Sequence, residues 1–195
     1  YSIEILDEAI AGKKQVAFIY NRYGLDKKLH PRRNEAYIVN PYQMVATNGR
    51  YYLIGNYHKY QNLAYYRLDR ISQIRLLDTP AKPICQVEGM EQGLQLPRHM
   101  AEHIYMFTGK SEVVTFRAKK YILNDIMDWF SGELTFFDET EEEFSVRVQV
   151  NLEAMRRWAL QYALHIRVLS PDSLAQQMKQ DLLEAMKNYG LSYKD

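Results

Sequence analysis

The sequence predicts an α+β chain in two parts, a helix followed by strands that curl into a small barrel and then a βαββαβ sandwich with a final helix. Three observations carry this reading. Short runs of period two recur between residues 15 and 77, an Asn-Gly pair at 48–49 separates two of them, and beyond residue 111 strands alternate with helical stretches. Hydrophobic residues make up 47% of the 195, enough for a core in each part.

Ile3, Leu6, Ala9 and Ile10 recur at helical spacing over 2–12, with Ser2 as cap and Gly12 as stop. Residues 15–20 then place Val16, Phe18 and Tyr20 on one strand face, 21–33 reads as a charged loop, and 36–46 is a further strand where Pro41 fits only at an edge or bend. Asn48-Gly49 supplies the positive φ angles of a tight hairpin pairing 42–46 with 51–57. Strands at 63–68 and 71–77 bring the total to about five, and short, evenly spaced strands point to a barrel.

Pro80, Pro83, Gly89, Gly93, Pro97 and Gly109 break the pattern over 79–110, which is expected to connect a barrel domain at 1–78 to a second domain at 111–195, with a helix near 97–107. After it come strand 112–118, helix 119–130, strand 133–138, an acidic turn at 138–143, strand 144–150, helix 151–163, strand 165–169 and helix 172–188, punctuated by Gly132 and Ser170-Pro171-Asp172. That order is the split βαβ pattern of a ferredoxin-like sandwich.

The net charge of +1 conceals an asymmetry: residues 1–80 carry 12 Lys and Arg against 7 Asp and Glu. Within 13–33, Lys13, Lys14, Arg22, Lys27, Lys28, Arg32 and Arg33 oppose only Asp26, a footprint for a polyanion or a solvated loop. Cys85 is the single cysteine, and no apolar run approaches the roughly 20 residues needed to span a bilayer. With no signal peptide visible, a cytoplasmic location is expected. The chain opens on Tyr1 rather than Met, as a chain with a segment ahead of it would.

The densest chemistry lies in RYYLIG at 50–55 and YYRLDRI at 65–71. Arg67 and Arg70 stand among tyrosines where a purely structural strand more often carries Val or Thr. Arginine's planar fork grips phosphate and stacks on rings, so the pair of clusters points to an anionic, ring-bearing ligand such as a nucleotide or oligonucleotide. The plainer readings are that Tyr52 and Leu53 are core and that Arg70 pairs with Asp69 or caps a turn.

In order, LDEAIAGKKQV (6–16), Tyr20, Val39-Asn40-Pro41, RYYLIG and YRLDRISQIRLLD (66–78) resemble the WYL-domain family of bacterial transcriptional regulators. Tyr51 stands where the family has its tryptophan, and Ala64 where many members place an arginine. The resemblance implies an SH3- or Sm-like barrel followed by a C-terminal extension domain. It also implies a sensory module that binds a nucleotide-like ligand or single-stranded nucleic acid, contact with duplex DNA through a separate N-terminal domain, and a homodimer. No helix-turn-helix precedes Ile3, so the chain resembles the effector half of a longer regulator. Carried over by position, Tyr20, Tyr52, Arg67 and Arg70 form the ligand site, with Arg22 and His30 added from the basic loop.

Enzyme readings are weaker. His99-Met100-Ala101-Glu102-His103 spells H-x-x-E-H, the pattern of inverted zinc peptidases, but two local histidines fall short of the three protein ligands a zinc site needs, and a solvent-facing or interface helix is expected instead. There is no G-x-S-x-G elbow and no Walker loop, and the acidic run 138–143 lacks the spacing of a calcium loop. No catalytic residue, metal or cofactor is expected.

Overall fold

Leu6 and Ala9, on the inward stripe of the first helix, are completely buried. They fix α1 (Ser2–Ala11) against β1 (Lys14–Tyr23) and β6 (Ile71–Pro80). Tyr1 rather than Ser2 stands at the N-cap, without a side-chain hydrogen bond, and the Gly12 N–H closes the helix on the Glu8 carbonyl at 2.8 Å. The computed structural model describes residues 1–192. It separates into two units, Tyr1–Leu94 and the chain from Gln95 onward.

Between β1 and β6 the first unit holds β2 (Leu29–Pro31), β3 (Tyr37–Thr47), β4 (Arg50–Tyr57) and β5 (Ala64–Arg67). All pairings are antiparallel. β1 bonds to β3 through residues 16–18, to β2 through 21–23, and to β6 from Lys14 to Tyr20. β4 and β5 continue outward from β3, and a 3-10 turn at Leu68–Arg70 swings the chain back so that β6 returns to β1. The sheet thus curls into the expected SH3/Sm-like half-barrel.

Residues 21–31 form a hairpin where a loop was expected over 21–33. β1 runs on to Tyr23 and β2 pairs with it around a turn closed by Gly24 N–H to Lys28 O (2.9 Å), with Lys27 at φ 62°. A lysine in the left-handed region and a charged turn carry no sequence signal for a hairpin. Pro41 lies in an inner strand, at the register shift between Pro41 and Gln43, where a bulge removes the need for its N–H. Asn48 (φ 51°) and Gly49 (φ 68°) link Thr47 to Arg50 as the expected two-residue hairpin. Gly55 is needed for another reason: a Cβ there meets Val39 Cγ1 at 2.8 Å and the Asn40 carbonyl at 2.9 Å.

The barrel core is aromatic. Phe18 and Tyr20 each meet Tyr66 edge-on at 5.2 Å, and Tyr37 and Tyr57 extend the cluster over Leu53 and Val39. A buried amide network crosses its wall. Asn40 Nδ2 donates to Asn56 Oδ1 (2.9 Å), Asn40 Oδ1 accepts from Gln15 Nε2 and from the Lys82 N–H (both 2.9 Å), and Asn56 Nδ2 donates to the carbonyls of Tyr60 and Asn62. The bond to Lys82, with Tyr42 Oη donating to its carbonyl at 2.8 Å, fastens residues beyond β6 to the barrel, and Val87 is buried.

The second unit contains α2 (Leu96–Glu102), β7 (Ser111–Lys119), α3 (Leu123–Trp129), β8 (Leu134–Phe137), β9 (Glu143–Asn151), α4 (Leu152–Gln161), β10 (Ile166–Ser170) and α5 (Asp172–Asn188). Its antiparallel sheet has the order β10-β7-β9-β8, the ferredoxin-like arrangement. A 3-10 turn at Lys120–Ile122 takes the first residues expected for α3. Asn151 caps α4 by accepting the Ala154 N–H at 2.9 Å. Trp158, packed edge-on against Phe130 at 4.8 Å and stacked on Tyr162 at 4.7 Å, centres the core. The buried Arg117 clamps the acidic turn, donating to Glu143, Ser145 and the Asp138 carbonyl. No described helix is long and apolar enough to cross a membrane.

His99 and His103 are both buried, not solvent-facing. Their rings stack at 4.0 Å with 18° between planes, and His103 Nδ1 lies 2.8 Å from the His99 carbonyl. Imidazole lone pairs lie in the ring plane, so a face-to-face stack does not converge both on one ion. No group of three or more His, Cys, Asp or Glu able to hold a metal occurs among the described residues.

Two stability predictions follow from these buried polar groups. Asn40→Ala leaves the Asn56 carbonyl group, Gln15 and the Lys82 N–H short of a partner, and should cost roughly 2–4 kcal/mol in urea unfolding. A loss below about 0.5 kcal/mol contradicts the network's role. Burial, with His103 adding to it, pushes the His99 imidazole down to about 4 from 6.5. The unfolded chain therefore takes up a proton near pH 6.5 that the folded chain resists, and stability present above that pH is lost as pH falls toward 4. Unfolding of the second unit should be ~2 kcal/mol easier at pH 5 than at pH 7, and His99→Gln should flatten the dependence.

Candidate functional site

The pairing of β1 with β6 sets Tyr20 opposite Ile71, and the β4–β5 ladder sets Tyr52 opposite Arg67. These registers draw four of the six expected site residues, Tyr20, Tyr52, Arg67 and Arg70, to the corner where β5 turns into β6. The Tyr20 ring is buried in the aromatic core, and its hydroxyl accepts the Arg67 backbone N–H at 3.0 Å. Burial raises the Tyr20 phenol, while the Arg67 N–H and the charges of Arg70, Arg32 and Arg67 pull it back down. The charges of three arginines thus act on one hydroxyl. Tyr52 is half-buried, near enough for its hydroxyl to act on the Arg67 guanidinium.

The two central arginines differ in state. Arg67 forks Asp69, Nε to Oδ1 at 3.0 Å and Nη2 to Oδ2 at 2.5 Å, and it is this hydrogen bonding that holds the Asp69 carboxyl below its ordinary range. Asp69 is therefore the partner of Arg67, where the plainer sequence reading gave it to Arg70. Arg70 Nε is buried without a hydrogen-bond partner among the described residues. Its backbone is held firmly, because Asn21 Nδ2 donates to the Arg70 carbonyl and to Ser72 Oγ, both at 2.9 Å. A buried guanidinium N–H without an acceptor is costly unless an anion completes it.

Arg22 and His30 face each other across the β1–β2 hairpin. His30 Nε2 pairs with the Asp26 carboxylate at 2.8 Å, so it is tied within its own turn. Arg33 is committed structurally, with its guanidinium 3.5 Å from the Tyr37 ring centre and bonds to the Glu35 and Ala36 carbonyls. Ala64 packs on the barrel core opposite Gly55. Tyr51 is 62% exposed, a free flat ring where the family resemblance expects tryptophan.

The sequence marks Arg32 only as part of the basic 13–33 stretch, and it does not mark Asn21 at all. The Arg32 N–H bonds the Tyr20 carbonyl at 2.9 Å, and its guanidinium lies 6.0 Å from the Tyr20 ring centre. The β1–β2 register, Asn21 opposite Pro31, sets Arg32 across from Tyr20, while alternation along β1 turns Asn21 to the other face.

The WYL domain model matches residues 2–76 and the WCX domain model residues 99–186. Among solved structures the chain is similar to proteasome accessory factor B/C (PafBC) of Arthrobacter aurescens, at 14% identity over 92% of this chain and 25% of that one, with a TM-score of 0.39. It is also similar to a CRISPR Cas-related protein, at 10% identity over 97% of this chain and 51% of that one, with a TM-score of 0.54. It spans 25% and 51% of these two structures' lengths. The second likeness supports the fold. A search of curated proteins gave no significant match. The two domain models together take in most of the chain, which carries a WYL domain followed by a WCX domain.

Proposed function

We propose that this chain is the ligand-sensing portion of a bacterial transcriptional regulator, and that its WYL barrel binds a phosphate-bearing, ring-bearing ligand, a nucleotide or single-stranded nucleic acid. The observation that carries this is the buried Nε–H of Arg70, lacking an acceptor among the described residues, in the corner where the Tyr20 hydroxyl accepts the Arg67 N–H and feels the charges of Arg32, Arg67 and Arg70. Phosphate oxygens supply acceptors for that donor. Tyr52 and the exposed Tyr51 supply ring surface on which a base stacks. In this reading the protein acts by binding rather than catalysis, duplex DNA is contacted by a further domain, and the regulator works as a homodimer. Arg22 and His30 line the approach from the neighbouring hairpin.

The test is fluorescence anisotropy with labelled single-stranded DNA and with labelled AMP at two salt concentrations. Arg67→Ala and Arg70→Ala should each weaken binding by roughly 1.5–3 kcal/mol, the range for a charge-assisted hydrogen bond, without unfolding the barrel. If the ligand is an oligonucleotide its affinity falls steeply with salt, as several phosphates release counterions together, whereas a mononucleotide gives a shallow slope. Unchanged affinity in both folded variants moves the site elsewhere, and no binding to either probe leaves the barrel as a protein-interaction module.

A further inference from the structure

Asp69 occupies the middle of the 3-10 turn Leu68–Arg70, and three arginines act on its carboxylate: Arg67 through two hydrogen bonds, Arg70 and Arg50 through their charge. The Arg67 side chain is only 17% exposed, while Asp69 is 51% exposed. The two oxygens of Asp69 fill the fork of Arg67 in the geometry a phosphate adopts there. We infer that Asp69 is a built-in occupant of the anion site, which the ligand's phosphate displaces from Arg67 on binding; this rests on the anion-site reading above.

The arrangement allows the exchange. Asp69 shares a shallow surface pocket with Arg50, Tyr51, Ile3, Gly49 and Leu68. A carboxylate released from Arg67 therefore turns toward Arg50 and open solvent, and does not have to be buried without a partner. Arg67 never stands empty, so only a ligand that offers more than a single carboxylate takes it. A phosphate that reaches both the Arg67 fork and the Arg70 Nε–H does so. Asp69 then sets a threshold: it lowers affinity for every anion and costs multidentate phosphates least.

Asp69→Asn keeps the shape and removes the competing charge. Asp78→Asn removes the same charge from an acid of the same unit that pairs with Lys14, and so corrects for the general gain in positive charge. With fluorescein-labelled oligothymidylate as probe, D69N should bind about fivefold tighter than wild type, the fold-change set by relieving a partly buried ion pair. D78N should change binding less than twofold. Free acetate should compete with the probe more strongly on D69N than on wild type. Binding by D69N equal to or weaker than wild type overturns the inference, a weaker affinity meaning that Asp69 positions Arg67 for the ligand. Arg70→Ala, measured alongside, separates the two failures. Loss of binding in R70A with no gain in D69N removes only the competition, whereas no effect in R70A removes the anion site itself. Thermal melts of all three variants confirm that they are folded.

Discussion

Everything at the candidate site depends on β1 being hydrogen-bonded along both edges. One edge holds β3 and then β2, the other holds β6 as it returns from the 3-10 turn. A strand fixed in this way has no freedom to slide, since a slip of one residue sends the Phe18 and Tyr20 rings out of the core and Ala17 and Ile19 into it. Its consequence is local. Tyr20 reaches from the aromatic core to the Arg67 N–H, and the next residue, Asn21, holds the Arg70 carbonyl from the opposite side of the strand. The barrel's packing and the presentation of its arginines are one problem with one solution.

Charge is then distributed unequally over a rigid frame. Arg33 is spent on Tyr37 and Tyr57, Arg67 is held by Asp69, and His30 by Asp26. Arg70 is left with a buried donor lacking an acceptor among the described residues. Structural arginines in the same chain look different. Arg117 and Arg156 in the WCX domain have their donors distributed among several acceptors, Arg156 on Asp181 and Glu153. The contrast is what supports the proposal that the Arg70 corner takes an outside anion.

The parts of this fold that were legible in the sequence are those specified by local chemistry. Asn48-Gly49 determines its hairpin by itself because its residues tolerate positive φ, and the alternation of strands and helices after residue 111 gives the ferredoxin-like order directly. The hairpin at 21–31 was hidden because its left-handed residue is Lys27, which has no local preference for that conformation. The fate of H-x-x-E-H was hidden for the opposite reason: the burial of His99 and His103 depends on the tertiary packing of a helix only seven residues long. At the site, motif position marked Tyr20, Tyr52, Arg67 and Arg70, but which arginine Asp69 takes depends on the 3-10 turn, and sequence adjacency pointed to the wrong neighbour. Arg32 was legible as one of the bases of 13–33, but its place beside Tyr20, like the role of Asn21, depends on the β1–β2 pairing.

The central claim is that the Arg70 Nε–H is the donor awaiting a phosphate. It is tested most directly by NMR of the arginine side-chain Nε–H groups in the 15N-labelled protein during titration with AMP and with oligothymidylate. The account predicts that the Arg70 resonance, assigned by its loss in Arg70→Lys, moves downfield and exchanges more slowly with water as ligand saturates, while Arg33 stays put. A ligand that saturates with the Arg70 resonance unmoved contradicts it.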